Sequence, residues 1–437
     1  MTSWHGHGGR GPLRAWLGAA ACLGLHAPAQ GAGPPQTAAV TVQAATLPVL
    51  RARPAPPSAQ IEQGRVVYER HWVQGLGPLF NANSCTACHG EHGEGGTAPA
   101  ADGPAPTALV LQLETPGTAS GAEPPGDPVY GHVLNTSAVD GLQPEGAVTI
   151  HYSETEGQYY PDGFHWRLRV PHYRLSGLSR GPLARTTVIK PRLAPALFGA
   201  GLLESVPATA IRRGAQPAGD LFRGVNAFGR FGWQGRSVSI REQIAKAFAR
   251  EMGLTTTDRP RDDCTPAEAE CWQSHGTGLP EVAEELVEAV VSFVGALPVP
   301  EPPGGARSDS RGPQLFATIG CAQCHRPELP VEVTGADGRP ARGIIAAYSD
   351  LLLHDLGAEM ADQDASGATV SSRWRTAPLW GLGYRSHSGT TFLHDGRART
   401  LEEAILWHSA EGAQARHNFV ALFPRHREAL LRWLEAL

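Results

Sequence analysis

One short pattern stands twice in the 437-residue chain, and it leaves few structures open. Cys85-Thr86-Ala87-Cys88-His89 and Cys321-Ala322-Gln323-Cys324-His325 are both Cys-x-x-Cys-His. Each follows a Leu-Phe pair after four residues, Leu79-Phe80 in the first copy and Leu315-Phe316 in the second. Two thiols at this spacing can add to the two vinyl groups on one side of a porphyrin, and the adjacent histidine is then delivered to the iron. The chain is therefore expected to carry two covalent c-type haems, held by Cys85, Cys88 and His89 and by Cys321, Cys324 and His325. A zinc site or a redox disulfide is the other chemistry open to such a pair. The matching upstream spacing says that the copies are related units.

Haem is attached in this way outside the cytoplasm, and the N-terminus agrees. Arg10 and Arg14 precede an apolar run from Ala15 to Ala27, followed by the small-x-small triplet Ala27-Pro28-Ala29. This pattern predicts a signal peptide over 1–29, cut after Ala29, and a periplasmic protein. An uncleaved anchor or a lipid on Cys22 is the alternative. Residues 30–59 are Ala/Pro-rich without apolar periodicity and read as a disordered linker. Of the seven cysteines, only Cys264 and Cys271 then lack a role, and in an oxidising compartment they are expected to form a disulfide.

Composition narrows the partners. Net charge is -5 and pI about 6.4, so no basic footprint for nucleic acid exists. Mean hydropathy is -0.23, and outside the extreme N-terminus no run of ~18 apolar residues could span a bilayer. The mature form is thus expected to have no integral membrane span. Gly and Pro make up roughly a fifth of the residues, which marks a loop-rich but still globular chain.

A second repeat matters more than either haem motif alone. Phe231-Gly232-Trp233-Gln234-Gly235-Arg236 is matched by Phe392-Leu393-His394-Asp395-Gly396-Arg397. Each is followed by a capping box, Ser239 with Glu242 and Thr400 with Glu403, which predicts a helix start. On the second helix Leu401, Ala404, Ile405 and His408 share one face, so His408 points inward, either onto a haem iron or as an ordinary core histidine. The equivalent residue of the first copy is Ala247, which cannot ligate iron. This predicts a six-coordinate haem with His325 and His408, suited to electron transfer, and an open haem on His89, suited to activating a small molecule. Gln243 and Glu251 lie four residues either side of Ala247, so Glu251 is the candidate acid/base and Gln243 the candidate orienting residue. A solvated helix carboxylate is the plainer reading of Glu251.

The stretches Gly77–His89, Asp350–Asp355, Trp374–Gly381 and Phe392–Ile405 resemble the di-haem oxidoreductase family of peroxidase-like proteins, sometimes labelled thiol oxidoreductases. That family is similar to bacterial di-haem cytochrome c peroxidases and to the di-haem enzyme that matures methylamine dehydrogenase. The resemblance implies that His408 stands where the peroxidases supply a Met to the electron-transfer haem. It also implies that Glu242-Gln243 and Glu251-Met252-Gly253 match their peroxide-side residues. Gln243 and Glu251 are closer together than in the peroxidases. The loop histidine that caps the first haem in many resting peroxidases has no clear match, although His132, His165 or His172 could substitute. Some related peroxidases hold calcium between the haems, and Asp362-Gln363-Asp364 either joins such a site or is an ordinary solvated loop.

The expected fold class is mainly α, with two cytochrome-c-like haem domains. Apolar positions Val282, Leu286, Val290, Phe293 and Leu297 share a helical face that ends at Pro298, so the first domain is placed at 60–297, with a loop- and β-rich insertion over about 97–236. A linker follows at 298–310, and the second domain occupies 311–437. Trp233, Trp374 and Trp380 are either core aromatics or electron carriers between haems. Arg373, Arg375, Arg397 and Arg399 either pair with haem propionates or lie on the surface. The leading function is an oxidoreductase that passes electrons between the two haems, with peroxide as oxidant and a small redox protein as electron donor or acceptor. The alternatives are a non-catalytic carrier, with another His or Met252 on the first iron, and a haem enzyme that oxidises a protein, a thiol or another substrate.

Overall fold

Both repeated helices begin as their caps dictate. Ser239 Oγ accepts from Glu242 N while the Glu242 carboxylate accepts from Val238 N, and the helix Ile240–Glu251 follows. Thr400 Oγ1 accepts from Glu403 N and the Glu403 carboxylate from Arg399 N, ahead of Leu401–Leu406. Free N–H groups of each first turn are thereby satisfied. The preceding turns also match: Phe231 pairs with Ser237 and Phe392 with Ala398. Gly232 and Leu393 occupy the same left-handed backbone, at φ 74° and 71°. A leucine rarely adopts that conformation, so the repeated turn imposes it on Leu393.

The computed structural model describes residues 47–437 except 54–57, 73–74, 117–122, 215–222, 225–226, 274–279, 303–308, 336–337 and 365–366. The expected signal peptide, much of the 30–59 linker and residues 303–308 of the 298–310 linker lie outside the described residues. Residues Leu47–Leu437 form one unit. No helix among the described residues is long and apolar enough to cross a membrane.

Three apolar cores organise that unit. In the first, Ser58–Glu69 packs along Glu284–Ala296, so closely at Gly64 that a Cβ there would meet Ala289 O at 2.0 Å. Tyr68, Phe248, Val290 and Phe293 fill the space around this contact. The second core joins Gly312–Ile319 to Pro424–Leu434 through Phe316, Ile319, Leu430 and Trp433. The third is built from Leu109, Leu111, Leu113, Ile150 and Leu193 on β-strands, with Tyr130 from a turn packed among them.

That third core overturns the expectation of a mainly α chain. Among the described residues stand twelve α-helices and seventeen short strands in seven small sheets, all paired antiparallel. Strand signals dominate between the haem motifs. Leu109–Glu114 and Leu329–Thr334 each alternate buried and less buried residues, a period that fits a pleated strand and not a helix. Nor are the strands confined to 97–236. Leu329–Thr334 pairs with Pro340–Ile345, and Leu353–Asp355 with Arg373–Arg375. A four-stranded sheet runs from Thr369–Ser371 through Asp362–Asp364 and Val188–Leu193 to Leu109–Glu114, joining early and late parts of the chain.

A buried ion pair locks this sheet. Both guanidinium nitrogens Nη1 and Nη2 of Arg192 donate to the Asp362 carboxylate at 2.8 Å, and Gln234 Nε2 donates to it at 3.0 Å. Asp362, a candidate calcium ligand on sequence grounds, thus has both oxygens engaged. Removing one partner of a buried pair leaves the other charge desolvated and alone. Asp362→Ala is accordingly expected to lower the unfolding free energy by ~3–5 kcal/mol in urea titrations, and a loss below ~1 kcal/mol would contradict this account.

Candidate functional site

The first Cys-x-x-Cys-His segment is held from both ends. Ser84 Oγ accepts from Ala87 N at 3.1 Å, and His89 N donates to Cys85 O at 2.9 Å, which winds Cys85 to His89 into a single helical turn. His89 Nδ1 meets Pro195 O at 2.9 Å, which assigns the proton to Nδ1 and leaves Nε2 as the ligating nitrogen. Burial lowers the His89 pKa and keeps the ring neutral. Cys85 and Cys88 are not bonded to each other, nor are Cys321 and Cys324. Cys264 and Cys271 are disulfide-bonded.

His89 opens into a cavity of about 310 Å³, and the Ile240–Glu251 helix forms part of its lining with Gln243, Ala247 and Glu251. All three candidate residues of that helix are therefore gathered where the sequence places them. Glu251 is anchored by its own main chain, since its carbonyl accepts from Asn81 N at 2.8 Å and Ala82 N at 3.0 Å. Burial pushes its carboxyl up to about 7, against the pull of neighbouring Arg250. Met252 also lines the cavity, whereas none of its described lining residues is His132, His165 or His172. His132 is instead bonded to Asp263 at 2.8 Å, His172 to Ser153 at 2.7 Å, and His165 packs on Tyr159.

The second site places His325 and His408 face to face. Their ring centroids are 6.4 Å apart and tilted by 56°. Two imidazoles that bind one metal through nitrogen at ~2 Å each set their ring centres about 6 Å apart, so the pair has the span of an axial couple. His325 Nδ1 meets Tyr348 O at 2.9 Å and His408 Nδ1 meets Ala404 O at 2.8 Å, which again leaves Nε2 on each ring. Burial, with His408 opposite, pushes His325 down to about 4. The Tyr348 carbonyl is presented by a left-handed backbone at φ 49°. His408 stands just beyond the helix Leu401–Leu406, its N–H donating to Ile405 O. Behind the site, His354 lies between Asp350 at 2.9 Å and Glu411 at 2.8 Å. Burial would lower its pKa, yet bonds to Asp350, Cys324 and Glu411 outweigh that and raise it to about 11.

Two arginines test whether the first cavity suits a porphyrin. Arg375 and Arg385 line it, and burial lowers both to about 10. Arg385 Nε has no hydrogen-bond partner, and Arg375 donates to the carbonyls of Gly232 and Thr376. Buried guanidinium groups without a carboxylate call for an anion, which haem propionates would supply. Of the other arginines considered, Arg397 is committed to Asp395 at 2.8 Å, Arg399 pairs with Glu403, and Arg373 is exposed. Trp233 and Trp380 line the cavity, whereas Trp374 stacks on His394 at 3.7 Å.

A family model described as "Di-haem oxidoreductase, putative peroxidase" matches residues 215–437, just over half of the sequence. The chain belongs to the di-haem oxidoreductase family. It is therefore an oxidoreductase of a haem-binding family, and the matched region includes Gln243, Glu251, His325 and His408. Cys85 to His89 precede it. No curated protein matches the chain. A solved structure of hydrazine synthase from Kuenenia stuttgartiensis, pressurised with xenon, shares 13% identity over 93% of this chain and 100% of that one. Its TM-score of 0.37 is too low to bear on the fold.

Pro195, Tyr348 and Arg385 escape a reading of the sequence. Two act through main-chain carbonyls, which no side-chain pattern announces, and Arg385 carries no motif.

The Glu251 carboxyl has a consequence for stability. Its native pKa lies above that of an unfolded glutamate, so the unfolded chain ionises first and native stability falls as pH rises from about 4 to 7. Glu251→Gln should abolish this fall, gaining about 3 kcal/mol over wild type between pH 4 and 8. Urea titrations across that range check it, and parallel curves for the two proteins would refute it.

Proposed function

We propose that this oxidoreductase is an exported, periplasmic protein that binds both haems covalently and reduces peroxide at the His89 haem. A small redox protein supplies the electrons through the haem held by His325 and His408. One contrast carries the reading: His325 and His408 stand 6.4 Å apart at the second site, while the first cavity is lined by His89 together with Ala247, Gln243 and Glu251.

Cys85 and Cys88, and Cys321 and Cys324, would form the thioether bonds, with His89 and His325 as proximal ligands and His408 as the distal ligand of the second haem. When bound, haem supplies one-electron redox steps and, where a face is open, an iron site for peroxide. The overall reaction takes one peroxide, two electrons and two protons to two waters. Glu251, with its pKa near 7, is able to take the proton from the near oxygen of peroxide and return it to the leaving oxygen. Gln243 holds the peroxide for that transfer. Arg375 and Arg385, which line the cavity, would neutralise the propionates.

Electron paramagnetic resonance and carbon monoxide titration of the purified protein test this directly. One low-spin centre and one that takes up carbon monoxide are expected. Two low-spin centres without uptake would establish the carrier reading, with Met252 as the residue to examine. Glu251→Gln is expected to lower kcat for peroxide by ~10²–10⁴ with a reduced cytochrome as donor. A change below ~3-fold would remove Glu251 from the chemistry, and turnover of a thiol in place of peroxide would favour the substrate-oxidising alternative.

A further inference from the structure

Behind Glu251, away from the cavity, lies a line of buried polar groups that nothing so far has used. Asn81 Nδ2 reaches the Glu251 carboxylate and Asn135 Oδ1, both at 3.4 Å. Asn135 Nδ2 donates in turn to Glu145 Oε1 at 3.3 Å, and Asn135 N to Glu145 Oε2 at 2.6 Å. Glu145 and Glu268 are both 0% exposed, burial raises both carboxyls, each interacts with the other, and Glu268 Oε1 has no hydrogen-bond donor, which points to a proton shared between them. Thr265 N donates to Glu268 Oε2 at 2.9 Å, and Arg180 stands 3.7 Å from Glu268 Oε1.

The direction of each amide is decided by its neighbours. Asn81 Oδ1 accepts from Thr136 N at 3.0 Å and from Thr136 Oγ1 at 3.1 Å. Its oxygen is thus occupied, and its NH₂ group has to face Glu251 and Asn135. Asn135 is turned the same way because its NH₂ group faces the Glu145 carboxyl. Two amides in series orient and polarise one another, but they do not conduct protons without tautomerising. The chain therefore positions a charge; it does not deliver a proton.

We propose that Asn81 is a positioning residue for Glu251, and that the proton-sharing pair Glu145 and Glu268 fixes, through Asn135, the orientation in which Asn81 donates. A donor aimed at a carboxyl favours its ionised form, which is the form that accepts the proton from peroxide. In this last respect the inference rests on the proposed role of Glu251. The other charged or titratable groups facing Glu251 are Arg250, Asp263 and Cys88, and all stay in place when Asn81 is changed.

The test follows the Glu251 carboxyl by infrared difference spectroscopy of the haem-loaded protein across pH, with Glu251→Gln identifying its band. Asn81→Ala is expected to raise the midpoint by roughly one pH unit, a tenfold change in ionisation, and Asn81→Asp by more. Peroxide turnover of Asn81→Ala should fall up to ~10-fold at pH 7 and recover near pH 9, a pH dependence that a merely structural defect would not produce. Glu145→Gln, which can still accept from Asn135 and donate to Glu268, should leave the midpoint unchanged, whereas Glu145→Leu should shift it as Asn81→Ala does. An unmoved midpoint in Asn81→Ala overturns the proposal. Should Glu251→Gln leave turnover intact while the midpoint still follows Asn81, the positioning claim stands and only the acid/base role of Glu251 falls.

Discussion

A histidine can serve a metal only if its other ring nitrogen is held still, and the three candidate ligands meet that demand in the same way. His89, His325 and His408 each present Nδ1 to a main-chain carbonyl, of Pro195, Tyr348 and Ala404. A carbonyl accepts but never donates, so it selects one tautomer and leaves Nε2 for iron. Apolar packing around each ring keeps it neutral and able to bind. The left-handed backbone at Tyr348 belongs to the same arrangement, because it turns a carbonyl toward an imidazole that arrives from a distant segment.

Duplication supplied two similar frames, and small departures made them unlike. Both copies keep the turn, the left-handed residue and the capping box. The first helix then runs 12 residues and reaches Glu251, while the second runs 6 and releases the chain before His408. The longer helix brings a small residue, Ala247, into the cavity that His89 lines and places the Glu251 carboxyl at its far end. A shorter one lets an imidazole face its partner. The two copies thus differ by six residues of helix and by the side chain, Ala247 or His408, at the equivalent position.

Much of this was legible in the sequence. The Cys-x-x-Cys-His pairs, the capping boxes at Ser239 and Thr400, and the correspondence of Ala247 with His408 depend on contacts a few residues apart, which spacing alone reports. The fold class was not legible. Helices announced themselves through caps and apolar faces, whereas strands such as Val188–Leu193 and Asp362–Asp364 are short and take their pairing from partners far along the chain. Weighing the haem helices too heavily produced a mainly α expectation where sheets fill the space between them.

The sequence by itself nominated the residues that could hold a haem, because thiol spacing, helix caps and the side chain at one helical position are properties of short segments. Tertiary structure decided what surrounds them. Only folding could bring the Pro195 carbonyl to His89, bury Arg375 and Arg385 without carboxylate partners, and align Asn81 behind Glu251. Each is an encounter between segments whose separation along the chain leaves no periodic trace, and desolvation, which gives such encounters their strength, exists only once the core has closed.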